Sequence, residues 1–218
     1  MKKYKLLMIA TVLVLAVLAC NLPTVTRESQ TNQVIEPNDG LRLETLSKDG
    51  FVIGLIVPES YVVEEAVPDL TTMVEETDII NLPGPVDLQG LVQASQEDIL
   101  AWGYDTDSPG VISTSFVVYK NEEFAMMPLG IISTFAGNLL GEHVNIMEQS
   151  RLTISGRDTL RWITVTDQAG ISAAQVVYLF KETGTLYIIG FNADSQGVAG
   201  QLDVYDAIVA SLTISDLE

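Results

Sequence analysis

The chain has 218 residues, 47% of them hydrophobic, and carries 29 acidic against 11 basic residues, a formal charge of −18 at pH 7. That balance repels nucleic acid and anionic headgroups and excludes both as partners of the folded surface. A single cysteine and a single histidine exclude an internal disulfide, a Cys/His metal set and an imidazole-based relay, so no catalytic, metal or cofactor site is expected.

Lys2, Lys3 and Lys5 give the chain a positive start. Residues 6–20 follow as 15 positions without a charge. That is the length of a signal-peptide core and short of the roughly 20 apolar residues of a spanning helix. The run closes on Val17-Leu18-Ala19-Cys20, which resembles the lipobox of bacterial lipoproteins. The resemblance implies that residues 1–19 are a signal peptide cut after Ala19 and that the Cys20 thiol receives a diacylglycerol. One acyl chain, at about 0.8 kcal/mol per buried CH₂, binds a bilayer only marginally, whereas two hold it. The implied place is the extracytoplasmic side of a cell membrane, with the membrane engaged through the lipid on Cys20. An uncleaved anchor or a conventional signal peptide is the alternative. Losing three lysines would leave 8 basic against 29 acidic residues, a charge of −21.

Residues 20–40 are rich in Asn, Thr, Gln, Pro and Ser and offer little to bury, which predicts a flexible tether. As a coil of about 20 residues it would reach roughly 25 Å. Residues 41–218 are read as one globular α/β domain.

Within that domain, alternation predicts a strand from Leu41, a turn at Ser47-Lys48-Asp49-Gly50, and an apolar strand over 51–57 stopped by Pro58. Residues 59–85, with four prolines nearby, are read as a loop with one short helix and a short strand near Ile79-Ile80. Asp87 caps an expected helix over 87–101, a loop follows over 103–110, and a β-branched strand over 111–119. Residues 124–140 lack any charge, and Pro128 suits the first turn of a helix ended by Gly141.

The last third reads most clearly. Strands are expected over 144–154 and 157–167 around Ser155-Gly156, and over 172–180 and 185–191 around a loop at 181–184, taken as a type I turn with a glycine bulge. The strands over 176–180 and 186–189 are apolar at both parities, so both faces should be covered, and the two should pair at the sheet centre. A helix over 201–212 closes the order.

This order, with the stretches at 50–58, 155–160, 176–191 and 207–212, resembles the PsbP-like fold. The resemblance implies a central antiparallel sheet covered by helices on both faces, a sandwich of α+β class. Photosystem accessory subunits, a Ran-binding protein and bacterial surface lipoproteins share that fold, so it does not assign a function.

Few residues group into chemistry. His143 is read as a loop or strand-edge residue. Asp105-x-Asp107-x-Pro109-Gly110 begins like a calcium loop, but its fifth position is proline and its twelfth is Phe116, so a plain turn is preferred. Arg151, Arg157 and Arg161 fall within eleven positions. They make either a small anion-binding patch or, as preferred, cross-strand ion pairs. The segment 124–140 lines a ligand groove, touches the bilayer or, as preferred, belongs to the core. The expected function is a lipid-anchored, non-catalytic binding or accessory module of the cell envelope, with an unidentified protein or small-molecule partner. A carrier of an apolar ligand and a carboxylate-based envelope hydrolase are the alternatives.

Overall fold

The computed structural model describes residues 30–31, 40–48, 50–64, 98–108, 113–122, 124–140, 146–168 and 171–216, with backbone alone at 30, 31, 135–140, 166–168, 171 and 216. The strands are β1 (Gln30–Thr31), β2 (Leu41–Lys48), β3 (Phe51–Pro58), β4 (Tyr61–Glu64), β5 (Ile99–Asp105), β6 (Ser115–Asn121), β7 (Ile146–Ile154), β8 (Arg157–Gln168), β9 (Ile171–Glu182), β10 (Thr185–Asp194) and β11 (Thr213–Asp216). Two helices, α1 (Leu129–Leu140) and α2 (Val198–Ser211), complete the described elements. An eight-stranded sheet runs β1-β7-β8-β9-β10-β6-β5-β4, and a three-stranded sheet runs β11-β3-β2. All the pairings are antiparallel except β1 with β7. The class is α+β.

As the two-sided apolar pattern demanded, β9 and β10 stand side by side in the middle of the larger sheet. From Leu186 to Phe191 every residue of β10 is buried. Alternation sends the two parities into two different clusters. Val176, Tyr178, Phe180, Tyr187, Ile189 and Phe191 join a first cluster with Leu55 and Val57 of β3 and Tyr205, Ile208 and Val209 of α2. Val177, Leu179, Leu186 and Ile188 join a second cluster with Leu160, Trp162, Phe124 and the α1 residues Leu129 and Ile132.

Turn chemistry is tighter than the sequence reading. Thr185 pairs with Glu182, so the loop is only Thr183-Gly184, and both residues have positive φ, 49° and 83°. That is the signature of a two-residue type I′ turn rather than a type I turn with a bulge, because I′ matches the twist of the flanking strands. Ser155-Gly156, at φ 49° and 77°, repeats it between β7 and β8.

Three segments differ from expectation. β4 lies inside the stretch read as a loop, and it pairs with β5. β5 occupies the end of the expected 87–101 helix and the start of the expected 103–110 loop. Ile99, Leu100 and Ala101 are all buried, and β6 supplies the pairing partner. Tertiary pairing there outweighs the helical spacing of the apolar residues. β11 went unread because it is four residues long and its partner, β3, lies far away in sequence. The expected short helix within 59–85, the short strand near 79–80 and the 87–97 part of the expected helix lie outside the described residues, and the other expected strands and helices are present with shifted ends. Pro58 terminates β3 opposite Leu41, α1 starts after Pro128, whose carbonyl accepts the Ile131 N–H at 2.9 Å, and α2 begins at Val198.

Of the proposed tether, Gln30 and Thr31 pair in parallel with Thr153 and Ile154, and Gly40 accepts the Glu59 N–H at 3.0 Å. The rest of 20–40, the short strand at 79–80, Gly141, and the signal segment with Val17-Leu18-Ala19-Cys20 lie outside the described residues.

Candidate functional site

The three arginines are placed by β7 and β8. Arg157 and Arg161 share the Thr159 face of β8, which is the face of the first cluster. Arg157 reaches the end of α2, donating to the carbonyls of Val209 (2.6 Å), Ala210 (3.2 Å) and Leu212 (3.0 Å). Its guanidinium also lies 4.6 Å from the centre of the Phe180 ring and 3.4 Å from a Glu182 carboxylate oxygen. Arg161, 7% exposed, donates to both carboxylate oxygens of Asp206 at 3.2 Å and to Glu148 at 3.1 Å. Tyr178 donates to the same Asp206 at 2.6 Å. Burial first, and then the Asp206 charge, hold the Tyr178 phenol far above its usual range.

Arg151 alternates with Leu152 and Ile154, so it points to the other face of the sheet. There it forks onto Asp158 at 2.6 and 2.5 Å, and that hydrogen bond lowers the Asp158 carboxyl. The structure therefore brings Arg157 and Arg161 to one face and leaves Arg151 on the opposite one, each beside its own carboxylate.

A different arrangement occupies the second face. Strand register sets out two adjacent rows across β5, β6, β10, β9 and β8. One row is Tyr104, Ser115, Asn192, Gln175 and Thr164; the other is Trp102, Val117, Gly190, Val177 and Trp162. At a strand spacing of about 4.8 Å, the row ends stand roughly 19 Å apart. The middle of the second row is low, because Gly190 has no side chain and its neighbours are valines. Trp102 and Tyr104 are half-buried at one end, with ring centres 5.0 Å apart at 39°.

Among the described residues, two buried polar atoms on this face have no hydrogen-bond partner: Gln175 Oε1 and Trp162 Nε1. Gln175 is 8% exposed and Trp162 1%. The other end of the Gln175 amide donates to Asn192 Oδ1 at 3.2 Å. An orphaned buried acceptor and an orphaned buried donor are each destabilising by about 1–3 kcal/mol. Neither row contains a charged residue.

No family model matches the chain, and no curated protein matches it. Solved structures similar to it include LpqN of Mycobacterium tuberculosis, a protein involved in cell envelope biogenesis, at 13% identity over 87% of this chain and 99% of that one, TM-score 0.45. The cyanobacterial PsbP protein, CyanoP, of Synechocystis has 9% identity over 86% and 98%, TM-score 0.44. The Ran-binding protein Mog1p of Saccharomyces cerevisiae has 11% identity over 82% and 97%, TM-score 0.43.

The remaining candidates fall into plainer roles. Asp105 ends β5, and its side chain accepts the Asp107 N–H at 3.0 Å, an Asx turn. Phe124, Leu129 and Ile132 are core residues of the second cluster, while the side chains of 135–140 lie outside the description. Cys20 and His143 also lie outside it. Among the described residues no three His, Cys, Asp or Glu side chains group to hold a metal, and no helix is long and apolar enough to cross a membrane. The two rows were not legible beforehand. Gln175 and Trp162 become neighbours only once β8 and β9 are in register, and the one advance signal was a polar residue within the apolar run of β9.

Proposed function

We propose that the protein is a lipid-anchored, non-catalytic binding module of the cell envelope. Residues 1–19 are a signal peptide, Cys20 carries the lipid, 20–40 lead to the domain, and 41–218 form one globular unit on the extracytoplasmic side. The fold that accompanies this reading is a PsbP-like sheet with a helix on each face; Leu129 and Ile132 in one cluster and Tyr205 and Ile208 in the other support it. The observation that carries the binding role is the pair Gln175 Oε1 and Trp162 Nε1, buried and without a hydrogen-bond partner among the described residues, in rows whose other end, at Trp102 and Tyr104, is half-buried. Binding surfaces keep such atoms because a ligand completes them.

The two alternatives have less support. Glu148 and Asp206 lie near each other, but both engage Arg161, which suits an ion-pair network better than a hydrolytic pair. Leu129 and Ile132 of α1 are already packed in the core, and Ile131 is exposed to solvent rather than lining a cavity, which favours a core helix over a carrier's groove.

Extraction of the full-length chain from native membranes, followed by mass spectrometry of co-purifying proteins and small molecules, tests the reading. A component enriched with the wild type and lost with Gln175→Leu is expected. Equal recovery with both overturns it.

A further inference from the structure

We propose that the outer edge of β7 is a docking site for the chain's own residues 25–29, which continue β1 along it in parallel. The inference goes beyond the binding-module reading and needs no ligand.

The short strand β1 supplies the register. Gln30 lies opposite Thr153 and Thr31 opposite Ile154, in parallel. Beyond β7 the larger sheet holds only β1. Along residues 148–152 the outer edge of β7 has no partner strand among the described residues. A row of backbone groups at an edge invites another strand, and a pairing already seeded at Thr153 needs no new turn to lengthen. Carried back without a slip, the register sets Ser29 on Leu152, Glu28 on Arg151, Arg27 on Ser150, Thr26 on Gln149 and Val25 on Glu148. The natural limits of the two segments coincide. β7 is irregular between Ile146 and Glu148, and Pro23, which has no N–H to give a ladder, falls opposite Ile146. Thr24, Val25 and Thr26, which follow it, are β-branched.

Side-chain chemistry selects the same register. Ser150 and Glu148 share the face of Leu152 and Ile154. Arg161 stands there between the carboxylates of Glu148 and Asp206, one cation for two anions. Ser150 Oγ is buried and has no hydrogen-bond partner among the described residues. Arg27 is the only basic residue within 20–40. Opposite Ser150 and diagonal to Glu148, it brings a second cation and a donor for the orphaned hydroxyl. Glu28 falls on the other face, beside Arg151, whose side chain is 68% exposed. A slip of one residue in either direction would exchange the faces. Arg27 would then share a face with Arg151, and Glu28 with Glu148, so that like charges meet. With a lipid on Cys20, only residues 20–24 would separate the bilayer from the sheet. They span at most about 18 Å, which makes β7 the edge nearest the membrane.

Hydrogen exchange and cysteine cross-linking on the full-length chain in detergent test this. Amides of residues 25–29 should exchange about tenfold or more slower than those of a free chain. Arg27→Glu should remove most of that protection while the unfolding midpoint stays near the wild type. Thr26→Cys with Gln149→Cys sets two thiols across one strand spacing, about 4.8 Å between Cα atoms and within disulfide range. Oxidation should join them within one molecule. Thr26→Cys with Ser150→Cys, on opposite faces, should join far less, and each single variant controls for Cys20. Exchange at the free-chain rate in the wild type overturns the proposal. So does protection that Arg27→Glu leaves intact, equal joining of both pairs, or joining only between two molecules, which would give the edge to a second copy. Fatty-acid labelling and co-purification read the anchor and the partner separately, so either can fail while this strand stands.

Discussion

Arg157 ties the end of α2 to the centre of the sheet. The last turn of that helix has no basic residue of its own, so a cation from β8 meets its free carbonyls. Arg157→Ala should lower stability by about 2–4 kcal/mol, given several charge-assisted bonds and a lost ring contact. Lysine should restore only part, because it keeps the charge and loses the fork. Arg151→Ala should leave the denaturant midpoint nearly unchanged, since its ion pair is solvent-exposed. The buried tyrosines give a second prediction. Burial is the first cause that raises Tyr61 and Tyr178, and it pushes Tyr205 up to about 12. A raised folded value means stability is fully present below the unfolded value near 10 and is lost as pH rises through the folded one. Thermal melts should therefore be flat in this respect below pH 10 and fall between pH 10 and 12. Tyr205→Phe should make that fall shallower. An unchanged slope would mean Tyr205 ionises in the folded state as freely as in the unfolded one.

Among the elements, β10 is the most constrained. Ile188 is 5% exposed and lies in the second cluster. Ile188→Asp should destabilise by several kcal/mol, because it loses apolar burial and leaves a charge unpaired. An unchanged denaturant midpoint would put β10 at an edge. The turn beside it should behave in the opposite way. Thr183 is a β-branched residue at φ 49°, a conformation asparagine tolerates better, so Thr183→Asn should raise stability by about 1 kcal/mol. These elements also mark where the sequence was legible. β9 and β10 could be read because apolar residues at both parities admit only a strand covered on two sides. β5 misled because Ile99-Leu100-Ala101-Trp102 is equally apolar in helical and extended spacing, and only β6 decides between them. The arginines were legible as ion pairs but not as a cap on α2, which depends on where a helix 50 residues onward ends. The Trp102–Gly190–Trp162 row needed the register of five strands at once.

At the scale of the whole molecule, the two sheets are tied by side chains as well as by clusters. Arg42 of β2 donates to the Glu59 carbonyl at 3.2 Å and to that of Tyr61 in β4. Ser211 at the end of α2 accepts the Ile56 N–H at 2.9 Å. The proposed anchor makes a further prediction. Cys20→Ser should abolish incorporation of a radioactive fatty acid and leave the longer precursor unprocessed. Equal label in wild type and variant would remove the lipid from the account. Because the lipid and the domain are joined through residues 20–40, the variant should keep the unfolding midpoint of the wild type.

The pairing of β11 with β3 also orders events in time. The strand that completes the smaller sheet, and the helix that precedes it, leave the ribosome well after β3, since they span residues 198–216 and β3 ends at Pro58. At about 5–20 residues per second, β3 waits roughly 10–30 s for them. Until then Leu55 and Val57 have no helix to pack against. For the exported protein proposed above, that delay has a use: a chain that cannot close its smaller sheet until residues 198–216 arrive stays open long enough to be threaded across a membrane.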